Sequence, residues 1–210
     1  MLENKRILIL APHTDDGELG CGATIAKCIE LGCEVFYAAF STADESVPAH
    51  FPKNQLELEV REATAILGIP SENLLIFKYQ VRKLNYVRQE ILEELIRLRP
   101  EIQPELVFLP TSNDIHQDHR TIYEEGLRAF KYCTLLGYEL IWNNLSFLAN
   151  TFINLEERHI SLKIKALSAY KTQEGRMYMS PEFIRSMAVV RGVQSGNLFA
   201  EAFEGIRTLL

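Results

Sequence analysis

The sequence predicts an α/β protein: a three-layer sandwich with a mainly parallel sheet and helices on both faces. Three observations predict it. Short apolar runs, as in strands buried on both faces, alternate with longer stretches of helical period through the first 110 residues. Glycine or proline follows the helical stretches, where helices end. The 210 residues, 47% hydrophobic and 24% charged, have the composition of one packed domain spanning 1–210, which excludes a disordered or low-complexity chain.

Residues 6–11 (RILILA) form the first predicted strand. Residues 18–31 follow as a helix stopped by Gly32. Residues 34–40 (EVFYAAF) return as a strand, and a polar loop covers 41–54. Residues 55–67 read as a helix ending at Gly68, with Pro70 beyond, and 74–79 as a short strand. Residues 84–99 carry apolar side chains at 84, 87, 91, 92, 95, 96 and 98, an amphipathic helix that Pro100 should stop. Residues 105–109 (ELVFL) add another buried strand and complete a βαβ series. The alternation then loosens. Residues 138–142 and 146–153 read as strands with no long helix between them, so the sheet is expected to turn mixed. Residues 156–170 and 181–190 read as helices, the second with Pro181 in its first turn.

Charge and composition narrow the function. With 22 basic and 28 acidic residues the net charge is −6, which argues against a nucleic-acid partner. No apolar run approaches the ~20 residues of a membrane span. The N-terminus leads directly into a strand rather than a signal-peptide core, so a cytoplasmic location is expected. Cys21, Cys28, Cys33 and Cys133 form no C-x-x-C pair and read as buried thiols.

Ligands of open α/β sheets bind beyond the carboxyl ends of strands. Two such ends carry metal-binding residue types: 12–18 (PHTDDGE) and 113–120 (NDIHQDHR), which hold three of the five histidines. His13 and Asp16, three apart on a turn, are placed to face one ion, and His119 to supply a third ligand. Three protein ligands with a fourth position open to water describe a catalytic zinc site. Two neutral imidazoles and one carboxylate leave a net charge of about +1, enough to lower the pKa of water towards ~7. Asp15 is then an unliganded carboxylate beside the ion, as a general base requires. His116 is the remaining imidazole. Asp118 is expected to stabilise its protonated form, and that cation to stabilise an oxyanion. The same donor set suits ferrous iron.

Structural readings stand beside these. Asp15-Asp16-Gly17 suits a turn and helix N-cap, and His116 and His119 suit a polar loop. Both clusters lying at strand ends favours the metal. Gly17, Gly20 and Gly22 follow G-x-x-G-x-G, not G-x-G-x-x-G, and the aspartates would repel a pyrophosphate. Gly20 and Gly22 therefore read as sites of close helix–sheet packing. Asp44 and Glu45 lie on the ligand face or in a solvated loop, His50 in a loop, and His159 on a helix in a structural role. The loop 41–54 and the segment 171–181 are expected to border the pocket.

Residues 11–18 (APHTDDGE) resemble the A-H-P-D-D-E signature of the LmbE/PIG-L family of zinc-dependent N-acetyl-sugar deacetylases, and 116–120 (HQDHR) resembles its H-P-D-H-R. Tyr170-Lys171-Thr172-Gln173 is similar to Y-x-S-Q, and Arg191-Gly192, Gly196 and 199–203 (FAEAF) to the family's tail. The resemblance implies a Rossmann-like fold and one zinc per chain on His13, Asp16 and His119. It implies Asp15 as base and His116 as oxyanion stabiliser. The implied reaction is N-deacetylation of a small-molecule amino sugar or glycoconjugate. Two departures stand out. Pro12 precedes His13 while Thr14 takes the usual proline position, and neither is a ligand. Leu56 stands where relatives carry an arginine that helps hold the sugar. Arg61, five residues on, is rotated by about 140° on a helix. A zinc amidase acting on a thiol conjugate or another non-sugar amide is therefore the alternative. A non-catalytic sugar- or nucleotide-binding module has no use for Asp15. The oligomeric state is open, and a homo-oligomer is compatible with the sequence.

Overall fold

The computed structural model describes residues 2–209. Its strands are β1 (Arg6–His13), β2 (Glu34–Ser41), β3 (Leu74–Ile76), β4 (Leu106–Pro110), β5 (Thr134–Tyr138), β6 (Thr151–Leu155) and β7 (Phe199–Arg207). The helices are α1 (Asp16–Glu30), α2 (Gln55–Leu67), α3 (Arg88–Ile102), α4 (Gln117–Ala129), α5 (Glu157–Leu167) and α6 (Pro181–Ser195). One mixed sheet runs in the order β3-β2-β1-β4-β5-β7-β6. β1 to β5 are mutually parallel, and β7 is antiparallel to both β5 and β6.

Ile7 to Ala11 of β1 are buried on both faces, as their unbroken apolar run predicts. Ile7 and Ile9 pack beneath α1, α2, α5 and α6, with Ile25, Val60, Ile160 and Ile184. Leu8 and Leu10 pack on the other face, beneath α3 and α4, with Ile91, Leu95 and Ile122. Each such buried side chain contributes about 1.5–3 kcal/mol, so this twin core holds the central strands, and the ends they present, in place. No helix of the described residues is long and apolar enough to cross a membrane.

The later elements differ from the sequence expectation for identifiable reasons. α4 is not among the helices the apolar pattern marks out, because its first turns bury Asp118, His119 and Thr121 where a core helix would carry apolar side chains. Residues 138–142 do not form a strand beyond Tyr138. Ile141 and Trp142 lie in the loop that follows β5, where Trp142 packs on the Tyr178 ring instead of in a sheet. β6 begins at Thr151, not 146, and the tail motif at 199–203 lies in a strand, β7, inserted between β5 and β6. α3 runs through Pro100 to Ile102, because the proline sits in the last turn and the chain turns off at Gln103 with φ 51°. Gly20 packs against the sheet as expected, since a Cβ there would lie 2.4 Å from the Tyr138 ring. Gly22 instead faces α5, where a Cβ would lie 3.1 Å from Cγ of Lys163.

Candidate active site

The strand order reverses at β1: β2 and β3 lie to one side, β4 and β5 to the other. Adjacent parallel strands whose connections leave in opposite directions open a crevice at their carboxyl ends. The turns after β1 and β4 carry the two histidine-aspartate clusters, so residues some 100 positions apart meet in that crevice.

The first turn is tied by its own residues. His13 N donates to Asp16 Oδ2 (2.8 Å) and Leu19 N to the Asp15 carbonyl (3.0 Å). Asp15 occupies the N-cap position of α1 but makes no side-chain cap bond. Its half-buried carboxylate has no hydrogen-bond or ion-pair partner in any other described residue. Beneath the turn, the Tyr37 and Tyr170 hydroxyls lie 2.9 and 2.7 Å from the Thr14 carbonyl, and both contact the buried Glu18 carboxyl. Burial pushes Glu18 up to about 8, so it carries a proton at neutral pH and acts as a donor within this knot. After β4, Glu204 grips the second turn by accepting from Ser112 N (2.8 Å), Ser112 Oγ (2.7 Å) and the Thr111 hydroxyl. Asp114 Oδ1 then accepts from His116 N (2.8 Å), and His116 Nδ1 caps α4 by accepting from Asp118 N (3.2 Å).

Three expected ligand atoms converge. His13 Nδ1 lies 3.1 Å from Asp16 Oδ2, His119 Nε2 lies 3.2 Å from the same oxygen, and the two nitrogens are 3.3 Å apart. Ligands about 2.0–2.2 Å from a tetrahedral ion stand about 3.3–3.6 Å from one another. A near-equilateral triangle of this size is one face of such a tetrahedron, contracted slightly by hydrogen bonds. The outer nitrogens are held as metal-binding imidazoles are: His13 Nε2 by Asp118 (3.0 Å) and His119 Nδ1 by Asp114 (2.7 Å). His13, His116 and His119 also place one nitrogen each within 4.8 Å of one another. The donor set fits a zinc-type cation.

Its electrostatics demand positive charge. Burial disfavours a proton on His13, but Asp16 and Asp118 overcome it and raise the ring to about 9. Against the same burial, Asp16 and Asp114 raise His119 to about 10. Both rings therefore favour the protonated form at pH 7 where no cation is bound. Uptake of zinc should release up to two protons per ion, and log K should rise by about 2 per pH unit between pH 7 and 9, then flatten above about 10. Calorimetry of zinc binding in buffers of different ionisation enthalpy measures that release. A pH-independent affinity over the range would contradict this assignment.

Asp118 does not pair with His116. Its carboxylate takes His13 Nε2, Arg82 N (2.5 Å) and Leu84 N (3.1 Å), which keep it ionised despite burial. It orients His13. His116 is pushed down to about 4 by burial and by the neighbouring His119 and His13 charges, so the expected cation is a neutral ring. Because its Nδ1 accepts a hydrogen bond, that neutral ring carries its proton on Nε2. Burial first, then Asp16, raises Asp15 to about 6.

Asp114 has a role that no spacing rule announced. Tyr37 carries the pattern of an ordinary strand residue, and only its hydroxyl's contacts with Thr14 O and Gly17 N tie it to the site. Leu56 is buried in the core and brings no charge to the crevice. The segment 171–179 borders the site, tied to α2 by Thr172 Oγ1 donating to Glu59 (2.6 Å) and capped by Tyr178 stacked on Trp142 at 4.0 Å. Asp44 is half-buried and His50 exposed. His159 is structural: it caps α5 and its Nε2 lies 3.0 Å from Glu30.

Residues 8–130 match the family described as PIG-L: GlcNAc-PI de-N-acetylase. The chain is 28% identical over 176 residues to a protein of Escherichia coli K12 named uncharacterized deacetylase YaiS, covering 81% of this chain and 92% of that one. It is 26% identical over 228 residues to the diacetylchitobiose deacetylase of Thermococcus kodakarensis, covering 97% and 82%. The fold matches N,N'-diacetylchitobiose deacetylase from Pyrococcus horikoshii with a TM-score of 0.79 at 22% identity, over 95% of this chain and 83% of that one.

Proposed function

The chain belongs to the PIG-L family, and from that premise we propose that it is a zinc-dependent hydrolase removing an N-acetyl group from an N-acetylglucosamine-type amino sugar or its conjugate. The observation that carries this reading is the triangle of His13, Asp16 and His119 with an unpartnered carboxylate, Asp15, on the same turn. The relatives' names support the amide as the bond and the amino sugar as the substrate class.

One zinc ion on His13, Asp16 and His119 would polarise the amide carbonyl and make water acidic enough to attack it; ferrous iron suits the same donors. Asp15 accepts the proton of the attacking water and delivers it to the departing amine, giving acetate and a free amino sugar. His116 donates from Nε2 to the oxygen on which negative charge develops. Asp118 and Asp114 act through His13 and His119, fixing their rings. All of this machinery sits in one domain of 210 residues.

Leu56 favours one second reading, in which the same residues cleave a non-sugar amide or a thiol conjugate. Primary-amine release separates the two. Zinc-loaded protein is offered N-acetylglucosamine free, inositol-linked, malate-linked and nucleotide-linked. Release from one member, absent in Asp15→Asn, is expected. Silence across the sugars with turnover of another N-acyl amide would overturn the sugar assignment.

A further inference from the structure

We infer that Lys163 and Glu201 are positioning residues: inserted into the hydrogen-bond ladder of α1, they set the angle of the turn that carries Asp15 and Asp16. α1 is two helical pieces joined across Cys21, whose φ −146° and ψ 22° are not helical. In a continuous helix the Ala23 N–H would bond the Leu19 carbonyl, and Thr24 N–H that of Gly20. Here a buried ion pair takes three of those four groups, all but the Gly20 carbonyl. The Lys163 ammonium, from α5, donates to the Leu19 carbonyl (2.7 Å) and to Glu201 Oε1 (2.6 Å). The Glu201 carboxylate, from β7, accepts from Ala23 N (3.2 Å) and Thr24 N (2.7 Å).

Each half of the pair satisfies one side of the break. Glu201 sits as an anion at the N-terminus of the rear piece, where free N–H groups and the helix dipole favour it. Lys163 caps the carbonyl end of the front piece. Both are less than 9% exposed, and Gly22 lets the lysine stem pass close to the helix. A buried ion pair is a poor way to gain stability, since apolar replacements are often neutral or better. Its effect here is geometric. Side chains inserted in the ladder bend a helix, and this bend lies directly behind the one turn bearing a metal ligand and the base. A cavity of about 50 Å³ lined in part by Leu19, Gly20, Lys163 and Glu201 leaves the front turn room to move if the clamp is lost.

The inference rests on the proposed deacetylase for its activity readout, and on metal geometry independently of it. The test compares wild type with Lys163→Met/Glu201→Leu, which lets the ladder close and α1 straighten, and with Glu201→Gln, which keeps size and one acceptor. Substrate turnover and cobalt(II) titration followed by the visible absorption band are measured on each. For the double variant kcat should fall about 100-fold with KM within about threefold, as a displacement of about 1 Å at a reacting group produces. Its cobalt affinity should fall at least about tenfold, with an altered band intensity, and Glu201→Gln should lie between. A folded double variant with wild-type kcat and an unchanged cobalt spectrum overturns the inference. If the double variant does not fold, Glu201→Gln decides by the same readouts: wild-type kcat and spectrum there overturn it. If wild type cleaves no substrate, the deacetylase reading fails while the cobalt spectra still decide the clamp.

Discussion

Substituting Asp15 by asparagine is expected to lower kcat by about 10²- to 10⁴-fold while metal content stays at one ion per chain. The geometry makes the variant clean. The carboxylate caps nothing and pairs with nothing in the rest of the described structure, so its loss removes the proposed base without loosening the turn. The pH profile carries the same signature. Asp15 is raised to about 6 in the metal-free site, chiefly by burial, and a divalent cation taken up in exchange for the His13 and His119 protons leaves that cause in place. The proposed base works ionised, so activity should fall as pH drops through about 6, and that acid limb should be missing from the residual activity of the variant. The stability effect runs the other way. A carboxyl raised from 3.8 makes the folded state bind the proton more tightly, so stability declines between about pH 4 and 6 and stays lower above. Metal-free Asp15→Asn should therefore melt at a higher temperature than metal-free wild type at pH 7. Near-normal turnover in Asp15→Asn would remove the base assignment.

His119→Ala should abolish both metal and activity. It removes one of the three proposed ligands, and a zinc dissociation constant higher on the order of 10³-fold is expected. Asp114→Asn keeps the ligand but releases its outer nitrogen, and should cost only about 10- to 100-fold. Without metal, protonated His119 is the cation between Asp16 and Asp114, so breaking that buried set should cost about 3–5 kcal/mol at pH 7. The sign follows from the raised ring. A histidine at about 10 in the fold and 6.5 unfolded contributes stability that is complete below pH 6.5 and lost as pH rises through 10. Metal-free wild type should show that decline in thermal unfolding, and in the alanine variant it should shrink to the part His13 carries, which is lost as pH rises through about 9. Full zinc content by elemental analysis in His119→Ala would displace it from the ligand set and turn attention to His116, the third imidazole of the cluster.

The sequence by itself determined the architecture of the first 110 residues and the two strand ends at which chemistry sits. Local period and spacing are short-range properties: an apolar run like that of β1 has to be buried on both faces, and residues three apart on one turn share a side. Tertiary structure decided the partners. Asp114 and Asp118 look alike in the chain, yet one fixes His119, five residues away, and the other His13, 105 residues away. That choice depends on how far the carboxyl ends of β1 and β4 stand apart, which the sheet sets. α4 lacks an apolar first turn because the inward face there carries the site's own polar residues. The break in α1 is also a tertiary fact. Glycines mark where other segments approach, but the groups that open the ladder come from 144 and 178 residues downstream, brought there by the packing of α5 and the insertion of β7.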